Sequence, residues 1–196
     1  MIIDGKEKRI QVKVGIYGAG MAGKTLLMKE IFANFGREIS CNDNTVHRTL
    51  LCDYGSLLVH LNHWDLIVHV YSTAGASYYE VTRPVILSGS DGLLFVIDSQ
   101  KSALERNIES WEELKGYFGE SFSLPVVFVF NKTDLPEDQR ITHEEFVETI
   151  APHRAGDLKV IDAAAKNGKG THEAFETILD VILKNLNILE LMETLI

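Results

Sequence analysis

Eight residues early in the chain, Gly18-Ala19-Gly20-Met21-Ala22-Gly23-Lys24-Thr25, carry the spacing GxxxxGK(S/T). The chemistry this pattern suits is the holding of phosphate. Glycines let the backbone curl closely around an anion, so that successive N–H groups point inward. An apolar stretch, Val12 to Tyr17, comes before the loop, and a helical pattern through Leu26, Leu27, Ile31 and Phe35 follows it. Strand, tight loop and helix N-terminus together bring partial positive charge to one point. The expected contacts are Gly18, Gly20, Met21, Ala22, Gly23, Lys24, Thr25 and Leu26. Lys24 should reach the β- and γ-phosphates of a nucleotide, and the Thr25 hydroxyl should ligate Mg2+. The competing reading is a glycine-rich strand-to-helix turn beside an unrelated lysine.

A second set, Asn131-Lys132-Thr133-Asp134, follows the apolar run Val126 to Phe130 and so falls at a strand C-terminus. Open α/β sheets place their ligands there. The Asp134 carboxylate can accept from both N1–H and the 2-amino group of guanine, a pairing that adenine cannot offer. The Lys132 stem can lie along the purine face, and Asn131 can tie this loop to the first. Sites built on such bonds reject a ligand lacking them by about 10⁴–10⁵-fold. The alternative, a polar loop after a buried strand, loses ground beside the phosphate loop upstream.

The elements that must position these residues can be read in order. Ile10 to Tyr17 is a strand, and the helix after the loop ends near Gly36. Arg37 to Arg48 is polar and aperiodic, with the turn-favouring Asn42-Asp43-Asn44. Thr49 to Leu61 and Trp64 to Tyr71 suit a hairpin closed by Asn62-His63, the one antiparallel pairing expected. A short helix is expected from Tyr79 to Leu87, with Pro84 in its first turn. Leu93 to Ile97 and Val126 to Phe130 read as strands buried on both faces. Ser102 with Glu105, and Thr142 with Glu145, have capping-box spacing ahead of two further helices. The first of these carries Leu104, Ile108, Trp111, Leu114 and Phe118 on one stripe; the second must end by Pro152. Leu158 to Ile161 is a short last strand. A final helix from Thr171 has Phe175, Leu179, Ile182, Leu186 and Leu189 on its inner stripe. The alternation predicts an α/β chain with a six-stranded, mostly parallel sheet, one antiparallel edge hairpin, and helices on both faces.

Composition bounds the rest. The 196 residues, 45% hydrophobic and 24% charged, suit one domain with its own core, and the net charge of −9 argues against a nucleic-acid or anionic-membrane surface. Cys41 and Cys52 have neither zinc-site nor disulfide-framework spacing, which points to a reducing compartment. The start is no signal peptide, no apolar run approaches a membrane span, and neither a Met-Gly start nor a CaaX box is present. A cytoplasmic protein without a lipid anchor is the expectation. His60 and His63 flank the hairpin turn but find no third ligand at metal spacing.

With the phosphate loop, Asn131-Lys132-Thr133-Asp134 and Ala164-Ala165-Lys166, the chain resembles the small GTPases of the Ras superfamily. In that family the last motif begins with serine, and its backbone contacts guanine. The gliding-motility-type (MglA-like) prokaryotic branch is the nearest resemblance, over Val12 to about Leu183. Arg48-Thr49-Leu50-Leu51-Cys52-Asp53 and the stretch from Val85 to Ser99 carry it. The P-loop fold and a GDP/GTP switch with Mg2+ are what this resemblance implies. Thr49 would be a metal-sensing threonine, Arg48 an intrinsic arginine finger, and Gly75 the glycine whose N–H meets the γ-phosphate. Asp53, directly or through water, would replace the carboxylate missing at Ser72, where the family has the aspartate of DxxG. Ala76 stands where the family has a catalytic glutamine. The competing readings are a solvated loop cation for Arg48 and a strand-edge charge for Asp53.

The sequence thus points to a G domain over 1–186, hydrolysing GTP slowly with catalytic Lys24, Arg48 and Thr49, and signalling to effectors in its GTP state. The resemblance further implies a roadblock-type activating partner and a polarity or motility role. One rival is a catalytically inactive GTP-binding module; another, an ATPase or phosphotransferase, is opposed by Asp134. The segment 187–196, with apolar residues on more than one helix face, reads either as a tail packed on its own domain or as a self-association helix.

Overall fold

The computed structural model describes residues 1–36, 52–61, 63–75, 77–119, 122–150 and 158–185. Strand β1 (Ile2–Asp4) turns back along β2 (Arg9–Tyr17), which leads through the glycine loop into α1 (Lys24–Asn34). A hairpin of β3 (Cys52–Leu61) and β4 (Trp64–Thr73) follows, then the short helix α2 (Arg83–Leu87) and strand β5 (Gly92–Asp98). After α3 (Leu104–Phe118) come β6 (Val126–Asn131), α4 (His143–Ile150), β7 (Lys159–Asp162) and α5 (Thr171–Asn185). The sheet order is β3-β4-β2-β5-β6-β7, parallel from β4 to β7, with β3 antiparallel at one edge.

Those six strands are the expected sheet, and β1 adds a seventh. It runs antiparallel to β2 through Ile2↔Gln11, Ile3↔Ile10 and Asp4↔Arg9, so the hairpin is not the sole antiparallel pairing. The cause lies in how far β5 reaches: it pairs with β2 only from Val14 to Tyr17, leaving the first half of β2 open on that side. Asp4 closes the turn by accepting from the Lys6 and Glu7 amides at 3.0 and 3.1 Å. Three residues are too few to show an alternation, and Ile2 stays 63% exposed.

The sheet buries both faces. Valines and isoleucines of β2, β4, β5 and β6 meet Leu27, Met28 and Ile31 of α1 and Phe175, Ile178 and Ile182 of α5. The opposite face is aromatic, with Phe95, Phe128 and Phe130 packed on Trp111 of α3 and Phe146 of α4. Phe95 and Trp111 meet edge to face at 5.2 Å. Every residue of β5 is buried, as its unbroken apolar run implies.

Local signals were followed unevenly. Thr142 and Glu145 form the reciprocal capping box, with Glu145 N–H donating to Thr142 Oγ1 at 3.1 Å and Thr142 N–H to Glu145 Oε2 at 2.7 Å. Ser102 does not cap α3: a 3₁₀ turn over Lys101–Ala103 precedes that helix, whose N-cap is Ala103 without a side-chain bond. The α-helix expected from Tyr79 begins only at Arg83, after a 3₁₀ segment, Ser77–Thr82. Pro84 lies in the first turn of α2, and its ring bars a longer α-helix upstream. Leu61 pairs with Trp64, leaving a two-residue turn between β3 and β4; of the two, Asn62 lies outside the described residues.

Candidate nucleotide-binding site

The phosphate loop leaves β2 at Gly18, in the centre of the sheet. Gly18 has φ +144°, and a Cβ there would lie 2.1 Å from the Val96 carbonyl oxygen of β5. Gly23 has φ +97°, and its Cβ would meet Asn131 Nδ2 at 2.3 Å. At both positions the left-handed backbone and the close neighbour admit only glycine. Met21 also has φ +65°, with its side chain in solvent at 74% exposure. Leu26, in the first turn of α1, is 38% exposed, whereas Ala22 is buried.

Lys24 turns back over the loop. Its Nζ donates to the Gly18 and Ala19 carbonyls at 2.8 and 2.9 Å. Burial, reinforced by the nearby Arg83 guanidinium and partly offset by Asp53 and Glu113, pushes its pKa down to about 7. An anion beside this group restores the preference for the ammonium.

Thr25 Oγ1 donates to Asp53 Oδ2 at 2.8 Å. Asp53, only 1% exposed, pairs in register with Ser72 of β4. The carboxylate therefore reaches α1 from the strand next to the one where the DxxG pattern would put it. Ser72 Oγ is buried and makes no hydrogen bond among the described residues. A hydroxyl, a carboxylate and a buried hydroxyl are hard oxygen donors that fit Mg2+, which keeps several ligands from water and phosphate. No cluster of three His, Cys, Asp or Glu occurs among the described residues, and His60 Nδ1 lies 2.8 Å from Asp65.

After β4 the chain passes directly against the loop. A Cβ on Gly75 would lie 2.7 Å from Gly20 Cα and 2.8 Å from Lys24 Nζ, while one on Gly20 would meet the Gly75 carbonyl at 3.0 Å. Arg48, Thr49, Ala76 and the segment 187–196 lie outside the described residues.

Asn131 joins the base loop to the other two. Its Nδ2 donates to the Ala22 carbonyl at 2.8 Å, and its Oδ1 accepts from the Ala165 N–H at 2.9 Å. Ala164 and Ala165 are buried, with Lys166 exposed beside them. Lys132 takes φ +69°, and its Nζ lies 2.7 Å from Asp98 Oδ2. Thr133 bonds the Ala163 carbonyl through both N–H and Oγ1, at 3.0 and 2.9 Å. Asp134 then projects into solvent at the mouth of the loop.

Two participants escaped the sequence. Asp98, 1% exposed, holds Lys132 in place; as the acid ending a buried strand it is visible, but its partner is not. Arg83 is buried between α2 and α3, with Nη1 2.6 Å from both Glu113 oxygens. Nothing local signals a partner thirty residues downstream.

Comparison with known proteins agrees with this geometry. The family model described as "Ras family" matches residues 13–184. The chain is 31% identical over 194 residues to the mutual gliding-motility protein MglA of Myxococcus xanthus (strain DK1622), covering 94% of this chain and 96% of that protein. It is 30% identical over 169 residues to the GTP-binding protein Rheb homolog 1 of Caenorhabditis elegans, covering 85% and 76%. To the Ypt/Rab-type GTPase ypt7 of Schizosaccharomyces pombe it is 22% identical over 187 residues, covering 93% and 87%.

Proposed function

This chain belongs to the Ras family, in its gliding-motility-type branch, and we propose that it is a GDP/GTP switch with slow, partner-stimulated hydrolysis. The observation that carries the guanine reading is Asn131, whose amide joins the phosphate loop, at Ala22, to the loop of Ala165. On this reading Asp134 takes the base and Lys24 the phosphates, with the junction at Asn131 between them.

Water attacks the γ-phosphorus in line, GDP leaves, and a proton from the water ends on the released phosphate. Lys24 neutralises charge on the β- and γ-oxygens, and the Gly75 N–H donates a hydrogen bond to the γ-phosphate. The hydroxyls of Thr25 and Thr49, with Asp53 behind them, would hold Mg2+, which would supply further neutralisation of the phosphate charge. Arg48 adds a positive charge as it develops, a contribution worth about 10³–10⁵ in rate where such a finger is complete. Ala76 cannot orient the water, so turnover depends on a partner, of roadblock type by analogy. The GTP form recruits an effector in the cytoplasm, and segment 187–196 serves self-association or packs on its own domain.

Displacement of a fluorescent guanine nucleotide by GTP but not ATP tests the base. Phosphate release, alone and with partners, tests hydrolysis; its absence under every condition favours a non-catalytic GTP-binding module, to which Ala76 already points. Arg48→Ala leaving basal and stimulated rates unchanged removes the finger.

A further inference from the structure

Arg83 opens α2 and is buried at 7% exposure, far from any solvent role for its charge. Several groups hold its guanidinium. Glu113 of α3 places both carboxylate oxygens 2.6 Å from Nη1, and the Tyr117 hydroxyl bonds that carboxylate in turn. The Tyr17 ring lies 6.0 Å from the guanidinium carbon. A further contact is the informative one: Nε donates to the Ala74 carbonyl at 3.1 Å.

That carbonyl and the Gly75 N–H belong to one peptide unit. The unit is planar and trans, so C=O and N–H point in opposite directions, and holding one aims the other. Glycine at 75 has no side chain to fix the orientation, and it packs too tightly on Gly20 and Lys24 to gain one. An arginine anchored to α3 supplies what the residue itself cannot.

We propose that Arg83 is a positioning residue that clamps the Ala74–Gly75 peptide with its N–H turned away from α3 and toward the terminal phosphate, so that discrimination of GTP from GDP depends on it. The inference rests on the reading of Gly75 as the γ-phosphate contact. Glu113 acts at one remove, by holding the guanidinium in the orientation that presents Nε. Lysine cannot substitute fully, because a point charge paired with Glu113 has no second, rigidly placed donor for Ala74.

The test compares GDP with a non-hydrolysable GTP analogue, by displacement of a fluorescent guanine nucleotide, in the full chain and in Arg83→Gln, Arg83→Lys and Glu113→Gln. Affinity for the analogue should fall roughly 10- to 100-fold in Arg83→Gln, the range for a hydrogen bond to a charged group. GDP affinity should stay within about twofold, because its phosphates end before Gly75, and Arg83→Lys should recover only part of the loss. Glu113→Gln, the milder change, should show the same selective loss and shift the γ-phosphorus resonance of the bound analogue. Equal losses for both nucleotides, or no loss in folded variants, overturn the role of Arg83 alone. Failure of the unaltered chain to bind the analogue in preference to ATP overturns the broader reading, and this inference with it.

Discussion

Asp53 and Ser72 stand opposite each other across the antiparallel β3–β4 pair, and it is Asp53 whose carboxylate reaches the Thr25 hydroxyl, at 2.8 Å. Neighbouring strands lie only about 4.7–4.9 Å apart, so moving an acid sideways by one strand changes its sequence address far more than its position. Asp53→Asn should raise the Mg2+ concentration needed for tight nucleotide binding by about 10- to 100-fold, the usual cost of losing an outer carboxylate at a metal. Exchanging the two, with Asp53→Ser and Ser72→Asp together, should recover part of it. Nucleotide dissociation followed against free Mg2+ reads both; an unchanged Mg2+ dependence in Asp53→Asn rejects the metal role.

Lys24 makes nucleotide binding depend on pH. Its pKa falls from 10.5 to about 7 in the folded chain, so between those values the unfolded chain holds one proton more at this site. This group's share of stability therefore rises with pH across that window. Phosphate binding reverses the preference, so above about pH 7 each nucleotide bound should take up as much as one proton, and affinity should fall up to tenfold per pH unit. Calorimetry at pH 8 in two buffers of different ionisation heat measures the uptake, and Lys24→Met should abolish both uptake and binding.

Asp134 and Asn131 should separate by what they damage. Asp134→Ala should erase the preference for GTP over inosine triphosphate, which lacks only the 2-amino group, with little change in melting temperature, since the side chain is exposed. Asn131→Ala leaves the Ala165 N–H and the Ala22 carbonyl buried without partners, at about 1–3 kcal/mol each. It should weaken every nucleotide and lower the melting temperature together.

Gly92→Ala tests the sheet rather than the site. A Cβ there would lie 2.7 Å from Ile182 Cδ1 and 2.9 Å from Ile178 Cδ1, forcing α5 side chains to move. The expected cost is about 1–3 kcal/mol, or roughly 2–4 °C of melting temperature per kcal/mol in a chain of this size. Guanine-nucleotide affinity, measured on the folded fraction, should hold.

The phosphate and base loops were legible because their chemistry is contiguous: glycines, lysine and hydroxyl within eight residues, and an acid three residues after an asparagine. The strands beneath them were legible as unbroken apolar runs such as Leu93 to Ile97. What escaped was set by tertiary partners. Arg83 is one cation in an apolar stretch until Glu113 arrives from α3, and Asp98 is a strand-ending acid until Lys132 adopts a left-handed backbone. Ser102 and Glu105 had capping-box spacing, yet a 3₁₀ turn took the first place because Ala103 N–H already finds the Gln100 carbonyl. Strand β1 went unseen because what defines it is the vacant half of β2, a property of the neighbour.

The junction at Asn131 also sets a clock. The Ala165 N–H is buried and bonded to a side chain from another loop, so it meets water only when that loop parts from its neighbour. The same side chain grips the phosphate loop through Ala22. Deuterium entry at this one amide therefore counts openings of the base-binding side, and with nucleotide bound its rate should follow nucleotide release. Any factor that empties the site by prying at the base should quicken it; one that acts only on Thr25 and Asp53 should leave it untouched.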